Sequence, residues 1–258
     1  MFETLFKRIP LMIIACISFC SVFMSTLFFV SFCSSQFWPK NSNQPGDWSS
    51  WDALLWDFLL VGLFILQHSI MASSCFKRFI YGNRSGIVVE RSLYVLMTSF
   101  VLYTLVSHWC PVTEYIIWHL DTSQSIFWWT VFVVIHVIAW VLLLGAVLTM
   151  DLAELIGLKQ VYFYCIGAEY PMKYKSPAAR HLYRAMRHPG TSCLTFILWC
   201  HPIMTLDRFL LAVMMTLYVS FGFNVTVEDY EYIALQSARK DDELYRYRTE
   251  VQFREVRG

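Results

Sequence analysis

LMIIACISFCSVFMSTLFFVSFC, residues 11–33, contains no charged side chain. A helix needs about 20 predominantly apolar residues to cross the hydrocarbon of a bilayer. Secretory signals carry a shorter apolar stretch of about 7–15 residues, so this run reads as a retained anchor helix. Further apolar runs follow at residues 53–72, 92–109 and 126–150, and two shorter ones at 191–206 and 209–223. Only Asp207 and Arg208 separate the last two, which predicts a tight helical hairpin. His201-Pro202 is expected to kink the fifth run, because proline removes a backbone donor and clashes with the preceding turn. The fold class expected is an all-α polytopic membrane protein with six transmembrane helices, built as one domain over residues 1–258.

Composition agrees. The chain has 258 residues, 57% hydrophobic and only 15% charged, where soluble domains carry about 25% charged residues. A net charge of +1 gives no domain-wide basic field, so direct nucleic-acid binding is not expected. None of the eight cysteines forms a C-x-x-C pair, and several lie inside apolar runs. They read as buried free thiols, with no metal site.

Basic residues set an orientation. With six crossings, 18 of the 20 Lys and Arg fall on one side and two, Lys40 and Arg208, on the other. By the positive-inside rule, both termini face the cytosol or nucleoplasm. Trp48, Trp51, Trp56, Trp128 and Trp129 crowd two span starts, as interfacial aromatics do. Outside the membrane, residues 34–52 read as an irregular loop. Residues 151–190 form an inner-side loop, and the tail 224–258 reads as an amphipathic helical arm able to lie on a membrane surface.

Polar residues within spans draw attention because ionisable groups at membrane depth are costly unless paired. Asp57, Gln67, His68 and His136 are such residues. For Asp57 and His136 the favoured reading is an interhelical hydrogen bond, worth roughly 1 kcal/mol. For His68 a structural and a functional reading stand level, and a haem-like site on His68 and His136 is a minor third. Glu90-Arg91 is expected to open the third span, with Arg91 in reach of Asp151 or Glu154. In DLAELIGLKQ those two carboxylates lie one turn apart, which reads as a helix start with a salt bridge ahead of an acid/base pair.

LYRAMRHPG, residues 182–190, places two arginines, a histidine and a proline at the threshold of the fifth run. Proline suits a first helical turn, and the free N–H groups of a helix start favour anions. The charges either orient the segment against lipid headgroups or hold an anionic ligand; spacing alone leaves both open.

This stretch resembles a membrane methyltransferase superfamily that includes isoprenylcysteine carboxyl methyltransferase and the NnrU-like proteins. Its members carry a Tyr-Arg-x-x-Arg-His-Pro run, an acidic pair, here Glu228-Asp229, and a Tyr-x-x-x-Val ending, here Tyr247 to Val251. Within it, LQHSIMA, ERSLYVL, DLAELIGLKQVYFY, KSPAARHLYRAMRHP and DRFLLAVMMTLY are similar, in this order, to segments of the nurim family of inner-nuclear-membrane proteins. That resemblance implies an inner nuclear membrane location, with the nuclear lamina or other envelope proteins as partners. The wider superfamily implies S-adenosylmethionine bound by Tyr183, Arg187, His188 and Glu228. Where its enzymes carry an aromatic residue and a glycine after His-Pro, this chain has Thr191 and Cys193. Where they place an arginine one turn before the acidic residue, it has Asn224, which cannot reproduce a bidentate carboxylate clamp. The resemblance therefore implies a degraded catalytic motif and a structural role, with a membrane-embedded methyltransferase as the alternative.

Overall fold

The computed structural model describes residues 2–35, 48–81, 84–122, 125–149, 151–177, 179–180, 190–222, 231 and 234–235. Residues 1–173 with 189–221 make one compact unit, and 174–188 with 222–258 a second. In the second unit, the Ser176 hydroxyl accepts from the Ala179 amide at 3.1 Å. The expected tail arm lies almost wholly outside the described residues.

The first unit is a helical bundle. Its elements are α1 (Phe2–Ser34), α2 (Ser50–Ala72), α3 (Ser74–Ile80), α4 (Arg84–Ser107), β1 (Ile116–His119), α5 (Ile126–Thr149), α6 (Leu152–Leu155), α7 (Leu158–Cys165), α8 (Thr191–Trp199), β2 (Ile203–Thr205) and α9 (Leu206–Gly222). Among the described residues, four helical stretches are long and apolar enough to cross a membrane: Arg8–Ser34, Ser50–Ala72, Gly86–Ser107 and Ile126–Leu148. Large apolar side chains such as Phe23, Leu59, Phe100 and Leu142 point outward, as lipid-facing residues must.

Local chemistry sets the helix limits. Ser49 and Asp52 form a capping box at the start of α2, each side chain meeting the other's backbone N–H. Ser73 serves twice: its hydroxyl donates to Ile70 O at 2.8 Å, closing α2, and accepts from Phe76 N at 3.3 Å, opening α3. Helices α1 and α4 pack along small residues, and Ser18 and Ser92 are fully buried. The Ser18 hydroxyl donates to Ser92 O at 2.8 Å. In lipid, where apolar burial gives no drive between helices, close approach of small residues and such hydrogen bonds hold the pair. The main core joins Leu60, Val61 and Phe64 of α2 to Leu105 of α4, Ile197 of α8, and Leu211 and Ala212 of α9.

The structure departs from the expectations in several places. Glu90 and Arg91 lie in the second turn of α4, since that helix starts at Arg84. The fifth run is not one kinked helix. Helix α8 stops at Trp199, and residues 203–205 extend as β2, antiparallel to β1. Pro202 is a connector, and its carbonyl accepts from Leu120 N at 2.8 Å. Asp207 and Arg208 are no exposed tip: they sit in the first turn of α9, 0% and 7% exposed.

Candidate functional site

Two buried polar centres occupy the first unit. Asp57 and His68 of α2 mark them, 11 residues or about 16 Å apart along the helix.

The first centre gathers at the C-terminal end of α1. The Ser35 carbonyl accepts from Arg208 Nη2 at 2.7 Å and from His201 Nε2 at 3.1 Å. The last carbonyls of a helix lack partners and form its negative pole, so a guanidinium is well placed there. Trp109 Nε1 donates to Asp207 Oδ2 at 3.0 Å, and the adjacent Cys110 amide to Asp57 Oδ1 at 2.9 Å. Asp57 Oδ2 and Asp207 Oδ1 have no hydrogen-bond partner among the described residues. His136 Nε2 donates to Cys200 O at 2.8 Å, and Trp140 Nε1 to Ser34 Oγ at 2.8 Å. A carbonyl only accepts, so the His136 proton sits on Nε2. The ribbon closes this end, with the Trp118 indole donating to His201 O at 2.9 Å. Replacing His136 by Phe should lower stability by about 1 kcal/mol, seen as a modest drop in melting temperature in detergent. A drop as large as that of a core cavity would contradict this.

The second centre lies toward the other end of α2. The Tyr94 hydroxyl is 2.6 Å from His68 Nε2, Phe64 stacks on the His68 ring, and the Ser69 hydroxyl donates to Tyr218 at 3.3 Å. His68 and His136 thus belong to separate centres, against a haem-like site built on both. Arg91 lies with its guanidinium 5.2 Å from the Tyr94 ring centre. Its Nε donates to Leu155 O at 2.6 Å, so it caps α6 at the backbone instead of reaching for Asp151 or Glu154 as expected. Asp151 caps the start of α6, accepting from Glu154 N at 3.3 Å, and pairs with Lys159. Glu154 is buried, and Gln160 Nε2 donates to its carbonyl at 3.1 Å. Burial, and then the nearby carboxylates of Glu90 and Glu154, push the Tyr170 phenol above its ordinary value. Tyr170 is half exposed, so the shift carries little stability.

Sequence reasoning overlooked His201, Arg208 and Asp207 as interior groups, because a charged pair between two short apolar runs reads as a loop. Their signal was the runs themselves, each too short to cross comfortably. Tyr183, Arg187, His188 and Glu228 lie outside the described residues.

A cow protein, "Nurim", is 38% identical over 189 residues, covering 72% of this chain and 71% of that one. A fruit-fly (Drosophila melanogaster) "Nurim homolog" is 35% identical over 198 residues, covering 76% and 77%. The chain belongs to the nurim family. A Xenopus laevis Nurim matches at 37% identity over 190 residues, 71% of this chain but 65% of the relative, just under two thirds of its length. No family model and no solved structure matches the chain. Nurim-family membership joins four membrane-length helices to a bundle in which His68, Arg91, His136 and Asp151 contact other protein groups.

Proposed function

We propose that the protein is a multi-pass resident of the inner nuclear membrane with an organising role, six crossings and both termini in the nucleoplasm. Membership of the nurim family carries the reading. It is supported by the way His68, Arg91, His136 and Asp151 are engaged in protein contacts, and by Asn224 standing where the methyltransferases that the chain resembles carry an arginine. Lamina or other envelope proteins are the partners.

The alternative is an S-adenosylmethionine-dependent methyltransferase acting on a membrane-embedded or lipid-like substrate, with Tyr183, Arg187, His188 and Glu228 holding the cofactor. Calorimetry on the purified full chain separates the two. The expected result is no saturable heat with S-adenosylmethionine. Micromolar binding abolished by His188→Ala would establish the enzyme instead. A tagged copy should form a slowly exchanging nuclear rim, and a reticular pattern would count against the envelope role. Cys75, exposed in α3, should react with an impermeant maleimide from the nucleoplasmic side only.

A further inference from the structure

A cavity of about 300 Å³ opens between α1 and α5, next to the first polar centre. Its α5 wall runs from Trp129 through Phe132, Val133, His136 and Val137 to Trp140, and its α1 wall includes Val30 and Ser34. Eleven residues of helix make that wall about 16 Å long, close to half of the roughly 30 Å hydrocarbon thickness of a bilayer. A single hydrocarbon chain matches a bore that runs along one helix between mostly apolar side chains.

The wall chemistry agrees. Apart from Ser34, Thr122 and the two histidines, the lining is aliphatic or aromatic. The polar groups are engaged by the protein: His136 Nε2 on Cys200 O, Ser34 under the Trp140 indole, and His201 Nε2 on Ser35 O. None of them calls for a polar head. Trp129, Val133 and Val137 are 48%, 39% and 54% exposed, and they lie on a helix long and apolar enough to span. The mouth therefore faces hydrocarbon, not water. Apolar cavities with a few satisfied polar groups are the usual form of a ligand site.

We propose that this cavity is a binding site for one acyl chain of a membrane lipid, drawn from the leaflet on the side of the β1–β2 ribbon. The chain lies along α5 between Trp129 and Trp140, and the headgroup stays outside the protein. The site is independent of whether the protein organises the envelope or catalyses methyl transfer.

The test uses the full chain in nanodiscs containing a trace of phosphatidylcholine with a mid-chain diazirine. After irradiation, peptide mapping should concentrate adducts on Trp129, Phe132, Val133 and Val137. Val137→Trp, which fills the bore, should reduce them to the level of Leu148, a lipid-facing residue of the same helix. Val133→Phe is the second filling variant, and an unchanged melting temperature confirms that each is folded. Phosphatidylglycerol with the same chain should label equally. Adducts spread evenly over Val141, Leu144 and Leu148 and indifferent to both filling variants would overturn the proposal. So would labelling that depends on the headgroup, or labelling by a diazirine sterol in place of the chain lipid.

Discussion

Replacing Arg208 with methionine is expected to cost roughly 3–5 kcal/mol, the range seen when one partner of a buried charged set is removed. Arg208 is 7% exposed, and Asp57 and Asp207 are fully buried. Without the guanidinium, the buried carboxyl of the adjacent Asp207 loses the cation that attracts it. The Ser35 carbonyl at the end of α1 also loses its 2.7 Å donor. Methionine keeps much of the apolar stem, so the loss reports charge and hydrogen bonding more than volume. Thermal unfolding of the detergent-solubilised protein should show a fall far larger than that of His136→Phe. Arg208→Lys should lie between, because lysine restores the charge but not the planar fork. A methionine variant as stable as the parent would show that the cation does not support the bundle.

The same residue marks where the sequence was legible and where it was not. Residues 11–33, 53–72 and 126–150 declare themselves because membrane hydrocarbon demands long uncharged runs, and the helices fall there within a few residues. The start of α4 was misplaced because Arg84, Glu90 and Arg91 dilute the apolar signal of its first turns. Arg208 reads in the sequence as the basic residue at a hairpin tip. Its burial depends on Ser35, 173 residues away, and no local pattern encodes such a partner. The β ribbon was hidden for a similar reason. Ile116–His119 is too short to display period-two alternation, and only its pairing with Ile203–Thr205 makes it a strand. At the second centre, the Asp151 cap was readable from spacing. Arg91 bonding to a backbone carbonyl was not, because carbonyls carry no residue identity.

Gly157→Ala should destabilise the protein by roughly 3–5 kcal/mol, at the upper end for a single replacement. Gly157 has φ +91°, and a Cβ there would come 2.6 Å from both the backbone N and the hydroxyl of Ser92. The left-handed backbone alone costs an L-residue about 1–2 kcal/mol. The clash adds more, because the Ser92 nitrogen belongs to the α4 backbone and cannot turn aside. Relief requires the α6–α7 turn to lift from α4. That movement would withdraw Leu155 O from Arg91 Nε, now 2.6 Å apart. Adding Ser92→Ala to the variant should recover only the hydroxyl share of the loss, since the backbone contact persists. Melting temperatures of the single and double variants, with proteolysis rates across residues 151–177, measure both effects. If Gly157→Ala melts with the parent and resists protease equally, α6 and α7 do not pack on α4 as closely as the 2.6 Å approach requires. Full rescue by Ser92→Ala would place the whole clash on the hydroxyl and leave the backbone free to yield.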